Sequence, residues 1–343
     1  MKRVVAFALT GLVLAACSTS PAPNVASAAP RAAVVQPAAL PAGVSFQEAT
    51  WYSEQVKLSG RLFIPSVFTP GTWLLPPGVN APPKAAAVVL APAYGETAET
   101  LDAYAAELAA QGIIALAVDY RGWGRSGAEL YLGERVSTYD AQRFSEHTAD
   151  IVYRRGRIDP EQQVQDLRNA ITYLQSLPNV DRAKIGVAGL GLGGGHVISV
   201  MAMDARAKAG VAITPDIPGQ GEEEKSFVPD AKTQAEMIKL AREGAPPRTA
   251  LAAKARNEQE NRIMAHEYKP YWRLDAIPQT AAVRFIIAEN DKAIDNSANA
   301  RSAAKELKGP NDVKVIARAE HKLDAAQTAE AAKLTAEWLK QKL

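Results

Sequence analysis

The segment Gly189-Leu190-Gly191-Leu192-Gly193-Gly194-Gly195-His196 joins an apolar run at 185–188 to an apolar helical stretch, with five glycines in seven positions. Glycine adopts backbone conformations closed to other residues and lets a bound group come close to the main chain. Phosphate binding is one use of such a turn: Gly189, Gly191 and Gly194 match G-x-G-x-x-G, and Asp216 stands past the next apolar run as a candidate ribose-binding acid. That fingerprint belongs on a first strand, and this turn lies in mid-chain. Other reactive residue types are sparse. Cys17 is the only cysteine, so no disulfide is expected, and acylation would leave no thiol nucleophile. His147, His196 and His266 have no neighbouring histidine or cysteine at metal-ligand spacing, and no metal or cofactor is implied. Glu222, Glu223 and Glu224 read as a solvated loop rather than a cation site. Lys and Arg total 39 against 37 Asp and Glu, a balance that selects no nucleic acid.

The same turn resembles the G-x-S-x-G nucleophile elbow of the α/β-hydrolase superfamily, with Gly189 and Gly193 as its flanking glycines and Gly191 in the serine's place. The resemblance covers about 44–343 and is closest to dienelactone-hydrolase-like and acyl-peptidase-like members. Asp119-Tyr120-Arg121-Gly122-Trp123-Gly124-Arg125-Ser126-Gly127 looks like the family's D-x-R-G-x-G-x-S loop, which makes Ser126 structural. Asp291 in Ala288-Glu289-Asn290-Asp291 matches the family's acid, although Ala288 stands where a glycine is usual; His321 in Ala319-Glu320-His321-Lys322 matches its histidine. The order Gly191, Asp291, His321 is that of the family's triad. An oxyanion hole is implied from the backbone N–H of Leu192 and of Ala93 or Tyr94, in a loop, Ala91-Pro92-Ala93-Tyr94-Gly95, that departs from the family's His-Gly or His-Pro.

Those residues need a sheet to position them. Short apolar runs at 86–90, 113–118, 185–188, 209–214, 283–288 and 313–317 alternate with one-sided helical faces. The faces are Leu101/Tyr104/Ala105/Leu108, Val164/Leu167/Ile171/Leu174, Ala300/Ala303/Ala304/Leu307 and Ala331/Leu334/Trp338. This alternation predicts an α/β fold with a mostly parallel sheet covered on both faces, preceded by an antiparallel edge pair within 47–65. Residues 216–278 read as a small helical cap, with helices around Met237 and Ala252. The aromatics Tyr268, Tyr271 and Trp272 there either line a pocket or fill core.

The first residues read as a targeting segment: Lys2 and Arg3 precede an apolar run at 4–16 that is too short to span a bilayer. Leu14-Ala15-Ala16-Cys17 resembles a bacterial lipobox, and Ser18 after it favours the outer membrane, facing the periplasm. Residues 1–16 are then a lipoprotein signal peptide, 17–45 an Ala/Pro-rich tether, and 46–343 the hydrolase domain with its cap.

With Gly191 at the nucleophile position no acyl-enzyme can form. Two functions stay open: a catalytically impaired, lipid-anchored envelope protein that binds a small ester- or amide-like ligand, or an active ester or amide hydrolase using a water activated by His321 and Asp291. An active hydrolase carrying an introduced serine-to-glycine change is a third reading.

Overall fold

A computed structural model describes residues 35–67, 84–132, 151–221, 230–243 and 250–343. Cys17, His147 and residues 222–224 lie outside the described residues.

The chain opens with β1 (Val44–Ser53) and β2 (Val56–Pro65), an antiparallel hairpin. Glu54 and Gln55 make its two-residue turn at φ 46° and 71°, the left-handed geometry that matches strand twist. β3 (Ala85–Ala91), α1 (Asp102–Ala110) and β4 (Ile114–Asp119) follow. A separate ribbon of β5 (Glu129–Leu132) and β6 (Ile151–Arg154) precedes α2 (Pro160–Ser176). Then come β7 (Val180–Leu190), α3 (Leu192–Met203) and β8 (Ala207–Ile213). The chain leaves the sheet for α4 (Ala231–Glu243), α5 (Ala250–Glu267) and a 3-10 turn at Pro270–Ala276. It returns as β9 (Ala282–Ala288), α6 (Ser302–Glu306), β10 (Asn311–Ile316) and α7 (Ala325–Lys342).

The eight-stranded sheet has the order β1-β2-β4-β3-β7-β8-β9-β10. β2 is antiparallel to both neighbours, and every pair from β4 to β10 is parallel. Alternate residues of each central strand feed opposite faces. In β4, Ile114, Leu116 and Val118 join α2 and α3 in one core, while Ala115 and Ala117 join α1 and α7 in the other. Burial on both faces is why these strands read as unbroken apolar runs.

Two details differ from the sequence reading. β2 is not an edge strand, because it pairs with β4 on its far side. Gly60 lies within it: an added Cβ would meet the Ala117 carbonyl at 2.6 Å and the Trp51 ring at 2.9 Å, so close packing requires glycine there. β1 already includes Val44 and Ser45, which composition alone assigns to the tether.

The chain runs from β3 outward to β4 on one side and to β7 on the other. The carboxyl edges of β3 and β7 therefore flank the crevice where sheets of this kind bind ligands.

Candidate functional site

β7 ends at Leu190, and Gly191 caps α3 at φ 53° and ψ −117°. Four backbone hydrogen bonds fix this apex. The Gly191 N–H donates to the Ile213 carbonyl of β8 at 3.0 Å. Its carbonyl accepts from the N–H groups of Gly194 (2.9 Å), Gly195 (3.2 Å) and Asp216 (3.0 Å).

The crowd of glycines has a steric cause. An added Cβ would lie 2.3 Å from the Gly193 carbonyl oxygen at Gly189, 2.3 Å from the Ala91 carbonyl oxygen at Gly193, and 2.3 Å from the Asp216 carbonyl oxygen at Gly195. Gly191 differs. A Cβ there would meet Ala93 Cβ at 3.4 Å and His321 Nε2 at 3.9 Å, both ordinary contacts. One bond further on, a hydroxyl would enter the roughly 2.6–3.2 Å reach of a nucleophile–base hydrogen bond.

The histidine is held from behind. Asp291 follows β9, and its Oδ1 accepts from the N–H groups of Ala293 (2.9 Å) and Ile294 (3.0 Å). Its Oδ2 lies 2.9 Å from His321 Nδ1. The Asp291 side chain is fully buried, whereas that of His321 is 37% exposed. The loops after β9 and β10 are joined by Asn290 N–H to the Ala319 carbonyl at 2.8 Å and Arg318 N–H to Glu289 Oε2 at 2.6 Å. A carboxylate on Nδ1 makes that nitrogen the donor and leaves Nε2 of a neutral imidazole as an acceptor facing Gly191.

A cavity of about 470 Å³ opens over this apex. Leu101, Ile158, Leu190, Leu192, Ile294 and Leu323 make its walls largely apolar, with Glu96, Asp216 and Lys322 as charged members. Leu192 is the first residue of α3, where an N–H has no intrahelical partner. Ala93 and Tyr94 line the opposite side, with Tyr94 largely exposed. Thus Gly191, Leu192, Ala93, Tyr94 and His321 share one cavity, with Asp291 behind the histidine.

Other residues singled out in the sequence serve packing. Ser126 is buried, donates to the Asp119 carbonyl at 2.6 Å and accepts from Ser59 N–H at 2.8 Å. His196 is buried between Tyr268 and Gln163, whereas His266 is exposed. The cap aromatics do not line the cavity: Tyr268 is buried against His196 and Ser199, Tyr271 meets Ser302 at 3.2 Å, and Trp272 Nε1 donates to the Gly219 carbonyl at 3.0 Å. A phosphate at this turn would face the Asp216 carboxylate on the same cavity wall, against the charge logic of a phosphate site.

Two residues have roles that the sequence does not announce. Arg121 donates to Gln162 Oε1 and to Asp166, whose side chain is fully buried; this pair ties the 119–127 loop to α2. Asp216 faces the cavity. Burial pushes its carboxyl up, and the charges of His321 and Lys269 pull it back in part. Its one sequence signal is its place directly after an apolar run, like Asp291.

The family model described as serine aminopeptidase, S33, matches residues 82–283. An uncharacterized 31.7 kDa protein of Escherichia coli, from the traX-finO intergenic region, is 36% identical over 76 residues, covering 22% of this chain and 25% of that one. This match thus spans about a quarter of that relative's length. Among solved structures, DcsB in complex with its substrate analogue superposes with TM-score 0.62 at 19% identity, covering 87% of this chain and 100% of DcsB. The α/β hydrolase GrgF of Penicillium sp. sh18 gives TM-score 0.61 at 18% identity, covering 87% and 99%. The fold shared with these structures is that of the α/β hydrolases.

Proposed function

Since the chain belongs to the serine aminopeptidase S33 family of α/β hydrolases, we propose that it binds a small ester- or amide-like ligand at a hydrolase site lacking the acyl-enzyme route. The observation that carries this reading is Gly191 at the elbow apex, its Cβ direction open and aimed at His321 Nε2. Removing a triad serine lowers turnover by about 10⁶-fold while leaving binding and oxyanion contacts in place. The ligand carbonyl is received by the N–H groups of Leu192 and of Ala93 or Tyr94. The motifs at 119–127 and 288–291 favour the dienelactone-hydrolase-like and acyl-peptidase-like branch. The domain is held at the bacterial envelope by an acylated Cys17, in the outer membrane facing the periplasm.

The Asp291–His321 hydrogen bond favours a residual reaction. A water where the serine hydroxyl would be loses its proton to His321 Nε2 and attacks the ligand carbonyl directly. General-base help contributes about 10²–10⁴-fold, so this route is slow and suits activated esters.

The test compares hydrolysis of a short-chain activated ester by the full chain and by its Gly191→Ser and His321→Ala variants. We expect slow turnover in the unmodified chain, buffer-level rates in His321→Ala, and a gain of several orders of magnitude in Gly191→Ser. A Gly191→Ser variant no faster than the unmodified chain would sink the reading of an intact frame without its nucleophile.

A further inference from the structure

Asp216 is a carboxylate on the cavity wall that the Asp291–His321 pair does not use. The chain leaves β8 through Thr214, at φ 39°, and the Asp216 N–H binds the Gly191 carbonyl at 3.0 Å. Asp216 is thereby tied to the elbow apex, and its side chain lines the same cavity as Gly191 and His321. Among the described residues no hydrogen-bond donor reaches its carboxylate, whereas Asp291 is fully engaged by two N–H groups and the imidazole. Asp291 occupies Nδ1, which leaves Nε2 for the cavity, and the charges of His321 and Lys269 both act on Asp216. Burial raises the cost of this charge, and a hydrogen-bond donor would offset it.

A serine hydroxyl has one hydrogen and is fixed by its own Cα. A water in its place has two hydrogens and no tether, so one acceptor cannot orient it. We propose that Asp216 is the second acceptor for the attacking water at Gly191, fixing the water that His321 activates. This rests on the water reading above. One hydrogen of the water points to Asp216 and the other to His321 Nε2, which directs an oxygen lone pair at the ligand carbonyl. Attack forms the new C–O bond as that proton passes to Nε2. Collapse of the tetrahedral species breaks the bond to the leaving alkoxide or amine, which takes the proton from the imidazolium. Asp216 stays ionised throughout, and no further reactant is consumed.

The experiment measures kcat and KM for the activated ester with the full chain and its Asp216→Leu, Asp216→Glu and His321→Ala variants. Leucine has nearly the shape of aspartate and no acceptor, so loss of water orientation lowers kcat about 10²-fold in Asp216→Leu with KM unchanged, because the water is not part of the ligand. Asp216→Glu, which keeps the acceptor, retains most of the turnover, and that is the control should Asp216→Leu fold poorly. If Asp216→Leu stays within threefold of the unmodified chain while His321→Ala is silent, the Asp216 role is overturned and the water reading stands. An equal loss in Asp216→Glu, or a change confined to KM, also overturns it. An unmodified chain no faster than His321→Ala overturns the water reading and this role together.

Discussion

Gly191 and Gly193 are two residues apart, and they are glycine for different reasons. At Gly193 an added Cβ would lie within 2.8 Å of three backbone atoms of the 91–92 segment, none of which can swing away. At Gly191 the space is open, and only the positive φ disfavours a side chain. We therefore expect Gly191→Ser to cost about 1–3 kcal/mol, the range for one strained backbone position, and Gly193→Ala more than that, because overpacking costs of about 1–3 kcal/mol or more add to a clash with backbone that cannot move. Urea unfolding of both variants checks the order, and a smaller loss in Gly193→Ala would show that the elbow backbone can yield. Thr214, β-branched at φ 39°, is a second strained residue on the cavity wall, consistent with strain collecting where geometry is over-determined by function.

Each cavity residue is delivered by an element end, and the elements differ in how plainly the sequence announces them. Central strands were legible because burial on both faces makes them short apolar runs; Asp291 and His321 could be sought just after two of these. The first residues of β7 were not, since Asp181, Arg182 and Lys184 are polar and 181–184 are partly or wholly exposed although they continue the strand. The β5–β6 ribbon gives no such signal because it belongs to no large core, with Leu130, Ile151 and Tyr153 exposed. No local pattern reveals that Asp216 and His321 line one cavity, because that depends on strand order across the sheet. Helix packing adds a titratable joint. His196 on α3 hydrogen-bonds Tyr268 and Gln163 at 2.9 Å each, linking α3 to α2 and to the segment after α5. Burial, helped by the Arg273 charge, lowers its pKa from 6.5 to about 3. Between those values the unfolded chain takes the proton first, so the stabilising contribution is full above pH 6.5 and is lost as pH falls toward 3. A His196→Gln chain should lack this part of the acid loss, about 1.4 kcal/mol per pH unit. Urea midpoints of the two proteins from pH 7 to 4 check it, and parallel curves would show that His196 is not held neutral.

At the scale of the whole molecule, the fold concentrates the site at one edge and leaves the rest of the chain free to serve location. Gly191, Asp291 and His321 come from the carboxyl ends of β7, β9 and β10, facing Ala93 after β3. Membrane residence has to come from elsewhere. A net charge of +2 over 343 residues offers little attraction to anionic lipid. Among the described residues no helix is long and apolar enough to cross a membrane. Acyl chains on Cys17 would then supply the attachment, and more than one chain is needed for it to be stable. The full chain produced in a Gram-negative bacterium should incorporate labelled palmitate and sediment with outer membranes. Cys17→Ala should lose the label and stay out of the membrane pellet, with an unchanged melting temperature, because β1 and the sheet begin at Val44. A Cys17→Ala chain that still sediments with membranes would mean that a surface of the folded domain holds it there, and the apolar residues of the β5–β6 ribbon would be the first place to look.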